Sequence, residues 1–220
     1  MEGMIADVGR QRLSPQARRA QLIAVGVQLL QDRPLTDLAL EDVAAAAGIS
    51  RALPFHYFAS RTEFHVAVLE AAGEEFLRAT DPAPHLPPHD RLRAGIEAYL
   101  DWAGARRSEY LALTRSAAGA DPALREVFER SRDALVDRLV LGMDADPAEP
   151  LLRLAVRGWA AMTEEMVAAW SQQRPVPRAD LVAVIEQAFT SSVAAVARRV
   201  PSTRAAIDRY IHLGGTCDQR

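Results

Sequence analysis

Glu164 and Glu165 stand side by side in a stretch otherwise rich in alanine and methionine. Successive helical residues face about 100° apart, so at least one of these carboxylates points inward or at a partner helix. A buried carboxylate needs a positive partner. Either an arginine such as Arg115 or Arg157 supplies it, or the carboxylate is the counter-ion for a cationic group on a small molecule. Tyr99, Trp102, Tyr110, Trp159, Met162, Met166 and Trp170 recur along the same later helices, where they either fill a core or line a pocket for an apolar or aromatic ligand. The candidate ligand contacts are Tyr99, Trp102, Tyr110, Trp159, Met162, Glu165 and Met166. His85 and His89 are four apart but lie in a proline-rich segment with no third ligand nearby, so no metal site is expected. There is no G-x-S-x-G, no phosphate-cradling glycine loop and no pair of acids spaced for glycoside chemistry, so an enzyme finds no support and no cofactor is expected.

The elements that must position these residues are helices. Apolar residues recur at helical spacing nearly throughout, and neither sustained alternation nor an Asn-Gly or Asp-Gly hairpin turn occurs, which predicts an all-α fold. Ser14-Pro15 opens the first helix, as an N-cap followed by proline at the first helical position, and Asp32-Arg33-Pro34 stops it. A short helix follows from Leu40 to Ala47, ended by Gly48, and Ser50 opens a third. Ser60-Arg61-Thr62-Glu63 has capping-box spacing and starts a long helix to about Thr80. Between Pro82 and Pro88, four prolines in seven residues forbid a continuous helix and mark a junction. Further helices are expected at 90–106, 108–118, 122–143 with Asp121 as N-cap, 151–172, 179–199 and 203–213. The helices "LLRLAVRGWAAMTEEMVAAW" and "LVAVIEQAFTSSVAAVA" are apolar around most of their circumference. They are either buried within one chain or form a homodimer interface as a four-helix bundle, with Gly158 and Ala161 allowing close approach.

Composition sets outer limits. The 220 residues are 49% hydrophobic and 25% charged, as in an ordinary globular chain, and the net charge of -3 requires any nucleic-acid contact to come from a local patch. All 26 basic residues are arginine, with no lysine or asparagine, which reflects a GC-rich genome more simply than selected arginine chemistry. Cys217 is the only cysteine, so no intrachain disulfide forms. Met1 to Arg12 lacks the apolar core of a signal peptide, and no long apolar run is free of polar breaks, so a cytoplasmic protein without a membrane span is expected.

From Leu40 to Tyr57 the order is short helix, Gly48 turn, short helix, and the spacing of Val43, Ala44, Ala47, Gly48, Ile49, Pro54 and Tyr57 is that of a helix-turn-helix. Ala44 is small where the second helix crosses close above it, and Gly48 permits a left-handed turn residue. With the flanks "EDVAAAAGIS" and "FHYFASRTEF", between a serine-capped helix and a long capped one, the region from about Arg18 to Leu69 resembles the DNA-binding head of the TetR family of bacterial transcriptional regulators. The resemblance implies a homodimer whose heads read a palindromic double-stranded DNA operator. It also implies a small-molecule effector in the C-terminal part that shifts the heads apart.

Carried over residue by residue, the resemblance puts Ser50, Arg51 and Ala52 at the start of the recognition helix, with Arg51 as a bidentate guanine contact. It puts His56 and Tyr57 against phosphates, counts Phe55 among the DNA contacts and makes Arg61 a basic anchor to the DNA backbone. Phe55 stands where a tyrosine hydroxyl is usual, and Ala39 where a serine or threonine usually caps the second helix, with Asp37 as a substitute cap. Arg10, Arg12, Arg18 and Arg19 form either a solvated tail or a groove-reaching arm. If Ser50 caps the recognition helix, Pro54 is its fourth residue and loses one end hydrogen bond; otherwise a shorter helix begins near Pro54. Residues 14–61 are thus expected to form a three-helix DNA-binding head, and residues 62–200 a larger helical ligand-binding and dimerisation domain. The alternative is a helical small-molecule-binding protein or enzyme that has lost DNA binding.

Overall fold

A computed structural model describes residues 13–83, 85–106 and 121–212. Among them are eight α-helices: α1 (Pro15–Leu29), α2 (Leu40–Ala46), α3 (Arg61–Ala79), α4 (Pro88–Ala105), α5 (Pro122–Gly142), α6 (Pro150–Gln173), α7 (Arg178–Arg199) and α8 (Pro201–His212). Two 3-10 turns, Leu35–Asp37 and Leu53–His56, flank α2. The expected helix at 108–118, with Tyr110 and Arg115, lies outside the described residues, as do Arg10 and Arg12.

The start signals act as the sequence predicts. The Ser14 hydroxyl accepts from the Ala17 amide at 3.2 Å, and Asp121 accepts from Ala123 at 2.9 Å, so each satisfies an amide that the first helical turn leaves open. Ser60 accepts from the Glu63 amide at 3.1 Å, while Glu63 reaches back past Ser60 to the amide of Ala59 at 2.8 Å.

Two apolar cores result. The first gathers Leu22, Leu30, Leu38, Val43, Phe58, Phe64 and Val68 from α1 to α3, and the second fills the bundle of α4 to α8 around Ile96, Val156, Ile185, Phe189 and Ile207. α3 and α5 belong to both. Leu69 and Ala72 sit in the first core while Phe76 packs on the second, and at the start of α5 Val127 joins the first core while Val136 and Val140 join the second. Gly73 lies at their crossing, where a Cβ would come within 2.7 Å of the Ser131 hydroxyl, so a larger residue there would require the Ser131 side chain to turn away. Arg130 on α5 pairs with Glu70 on α3 at 2.5 Å, and Thr62 donates to Asp121 at 3.3 Å. The proline segment turns the chain from α3 into α4. α7 is apolar enough by length and composition to cross a membrane, with a mean hydropathy of 1.3, but its Leu181, Val182, Ile185, Phe189 and Val193 are buried in the bundle.

Candidate functional site

The helix-turn-helix is built from α2, a turn at Gly48 and the 3-10 turn at Leu53–His56. Val43 and Ala44 are fully buried, the Ile49 amide closes the turn on the Ala44 carbonyl at 3.0 Å, and Gly48 adopts φ +64°, the left-handed conformation that its lack of a Cβ permits. The third element is not an α-helix opened by Ser50. Ser50 accepts from the Leu53 amide at 3.0 Å in a separate turn, and the chain then winds once from Leu53, with Tyr57 and Phe58 donating to the Pro54 carbonyl at 2.9 Å and 3.1 Å. Pro54 is the second residue of this turn, where its missing amide hydrogen leaves no bond unmade, so the winding starts beside the proline and not at Ser50. The Pro54 ring is buried with Phe58, which leaves Ser50, Arg51, Ala52, Phe55 and His56 exposed and Tyr57 half-buried. Phe55 is 53% exposed, unusual for a large apolar ring. Arg51 and His56 make no side-chain hydrogen bond or ion pair among the described residues.

Arg61 is engaged within the head. Its guanidinium donates to the carbonyls of Leu38, at 3.3 Å, and Thr36, and so ties the start of α3 to the loop before α2. The Leu38 carbonyl also accepts from buried His65 at 2.9 Å, a contact that the sequence reading missed. Burial lowers the His65 pKa from the usual 6.5 against that hydrogen bond; Arg61 lowers it further and Asp121 opposes. α2 carries Ala39 at its N-cap with no side-chain cap, and Asp37 accepts from Thr36 instead of capping it. Arg19 is 3.5 Å from Glu63 and lies over the Phe58 ring, and Arg18 donates to Gln21, so this part of the basic arm is held on the head.

The bundle holds a partly open cavity of about 90 Å³. A smaller one of about 50 Å³ adjoins it. Phe76, Tyr99, Leu135 and Glu164 line both, with the Phe76 and Tyr99 rings edge to face at 5.2 Å. Of the expected contacts, Tyr99 and Trp159 line the main cavity and Trp102 the smaller one. Met162 and Met166 pack against the core outside the cavity wall, and Glu165 is exposed. Trp170 is in the core and donates to the Val176 carbonyl at 2.9 Å. Glu164 is the carboxylate that faces inward. It pairs with Arg132 at 2.5 Å, while Arg157 binds Glu129 and Asp133. Helical phase explains the choice, because Glu165 falls on the outer face with Leu154, Gly158 and Ala161.

The cavity's most polar wall was missed. Arg91, Arg138, Thr80, Thr163 and Tyr210 line it. One signal was legible: Thr163 falls on the stripe of Leu152, Val156, Trp159, Val167 and Trp170, a hydroxyl at a core position.

Over residues 22–68 the chain matches the family described as "Bacterial regulatory proteins, tetR family", and over 88–192 "Tetracyclin repressor-like, C-terminal domain". It is 30% identical over 168 residues to the HTH-type transcriptional regulator CymR of Pseudomonas putida, covering 66% of this chain and 81% of that one. It is 22% identical over 172 residues to the HTH-type transcriptional activator FasR of Mycolicibacterium smegmatis, covering 76% and 78%. A tetR-family transcriptional regulator from Streptomyces coelicolor of known crystal structure superimposes with a TM-score of 0.77 at 25% identity, covering 91% of this chain and 90% of that one.

Proposed function

The chain belongs to the TetR family of bacterial transcriptional regulators, and from that premise we propose that it is a homodimeric repressor released from a palindromic operator by a small molecule bound in the bundle cavity. The observation that carries this reading is the sharing of α3 and α5. The same two helices supply cavity residues Phe76, Leu135 and Arg138 and head-core residues Phe64, Val68 and Val127. A guest that moves α3 against α5 at one end therefore tilts the head at the other.

Functionally, residues 14–61 contact DNA and residues 62–200 bind the effector and dimerise. Ser50, Arg51, Ala52, Phe55, His56 and Tyr57 face the operator, with Arg51 reading a guanine. Two recognition turns enter successive major grooves about 34 Å apart. Dimerisation uses α6 and α7. Their outward faces carry Leu154, Gly158 and Ala161 on one and Val184, Ser191 and Ala195 on the other, mostly small or apolar side chains left exposed in the single chain. Repression, and not activation, is the ordinary outcome of a bound regulator that an effector releases. The site of action is the cytoplasm, where the operator is.

Linkage supplies the test. A hundredfold loss of operator affinity on effector binding corresponds to a coupling of about 2.7 kcal/mol, and the operator must weaken effector binding by the same factor. Calorimetric titrations of effector into protein, with and without operator duplex, are expected to differ a hundredfold. Equal affinities would refute release by coupling.

A further inference from the structure

The cavity wall has an excess of positive charge. Arg91 on α4 and Arg138 on α5 both line it, and the one carboxylate that lines it among the described residues, Glu164, is already paired with Arg132. Arg138 is fixed in place: it donates to the Leu77 carbonyl at 2.6 Å and to the Thr80 hydroxyl at 3.1 Å, with the exposed carboxylate of Asp81 at 3.8 Å. Arg91 has no hydrogen-bond or carboxylate partner for its guanidinium among the described residues. It lies close enough to Arg138 to lower that group's basicity further, beyond the effect of burial, against the pull of Asp81. Two guanidiniums lining one cavity repel one another unless an anion lies between them, and each has donors to spare. Beside them the Tyr210 phenol, its pKa raised by burial and by Glu186, remains a neutral hydrogen-bond donor.

A second observation points to a guest in the cavity. Thr163, 2% exposed, lines the cavity, and its buried hydroxyl has no hydrogen-bond partner among the described residues. A buried hydroxyl left unpaired is destabilising, and a polar atom of a ligand would relieve it. The remaining wall is aromatic and aliphatic, from Phe76, Tyr99, Trp159 and Phe189 to Ile96 and Leu139.

The geometry points to an anionic amphiphile as the effector: a small carboxylic acid whose carboxylate bridges Arg91 and Arg138 and whose apolar body lies along the row of Trp159, Tyr99 and Phe76. This rests on the cavity being the effector site. It reverses the counter-ion role open to Glu164-Glu165 in the sequence, because the inward carboxylate is already neutralised and the outward one is exposed. A short apolar body suits this cavity, and rotation of Phe76 or Tyr99, which line both, would open the smaller one to a longer chain.

The test uses the full chain and three probes that differ only in the head group: octanoate, octan-1-ol and octylamine. Quenching or enhancement of tryptophan fluorescence reports occupancy, since Trp159 lines the cavity, and a Trp159→Phe variant confirms the reporter. Octanoate is expected to bind at least about tenfold more tightly than octanol, with octylamine weakest. Arg91→Gln should bring octanoate down to the level of octanol without lowering the Tm of the free protein, since it removes a like-charge repulsion. Equal binding of all three, or a preference for octylamine, overturns the anionic reading while leaving the cavity as the effector site. If no probe changes the fluorescence or the Tm, the cavity assignment itself falls, and the anionic reading with it.

Discussion

Arg61 and His65, one turn apart on α3, converge on a single backbone oxygen. Arg61 Nε lies 3.3 Å and His65 Nε2 2.9 Å from the carbonyl of Leu38, and Arg61 also reaches the carbonyl of Thr36. These bonds attach the first turn of α3 to the loop that aims α2. The orientation of the helix-turn-helix thus depends on two side chains outside it.

Arg61→Ala is expected to lower stability by about 1 kcal/mol through loss of the tether and to weaken operator binding without sequence preference. The slope of log affinity against log salt should stay unchanged, because the guanidinium is occupied with carbonyls. A slope shallower by about 0.9 would assign it a phosphate instead.

Arg51→Ala should behave oppositely. Arg51 is exposed and unpartnered among the described residues, so Tm stays constant, while affinity falls by about 1–3 kcal/mol and preference relaxes at one base pair. Binding to a panel of single-base operator variants distinguishes this from a uniform loss, which would make Arg51 a phosphate contact.

The head should weaken in acid. Burial holds His65 below 6.5, so between that lowered value and 6.5 the unfolded chain binds more protons than the folded one. Its contribution to stability is complete above about pH 6.5 and is lost as pH falls toward and through the folded value. His65→Gln, which retains a donor for Leu38, should flatten the Tm profile below pH 6.5; an unchanged profile would assign the acid sensitivity to other groups.

Leu154→Arg tests the dimer. Leu154 is 67% exposed on the outer face of α6, and a Cβ at neighbouring Gly158 would meet nothing within 4 Å. The substitution should therefore leave the circular dichroism spectrum unchanged while sedimentation reports a monomer and operator affinity collapses. A dimer that survives would move the interface elsewhere.

Thr163→Val replaces a buried hydroxyl that is unpaired among the described residues with a methyl of similar volume. The free protein should gain about 1 kcal/mol in stability, read as a raised Tm, and a ligand that bonds Thr163 should bind less tightly. A lowered Tm would reveal a partner for the hydroxyl in the free protein.

The helix order and caps were legible in the sequence because they are local. Ser14, Ser60 and Asp121 each satisfy amides within three residues, and Gly48 meets a requirement of its own backbone. Pro54 was legible only as a choice between two helix starts, because its cost depends on whether the ring finds apolar company. Burial of that ring beside Phe58 goes with the shorter start.

The sequence by itself determined an all-helical chain with a helix-turn-helix near its N-terminus, since periodicity, caps and turn residues act over a few positions. Only the tertiary structure decided which of Glu164 and Glu165 is buried, that Arg132 and not Arg157 neutralises it, and that Arg61 is held by carbonyls 23 and 25 residues earlier. It also brought Arg91 on α4 and Arg138 on α5 to one cavity. Charges pair with whatever the fold brings within a few ångströms, and helix packing sets those distances, not separation along the chain.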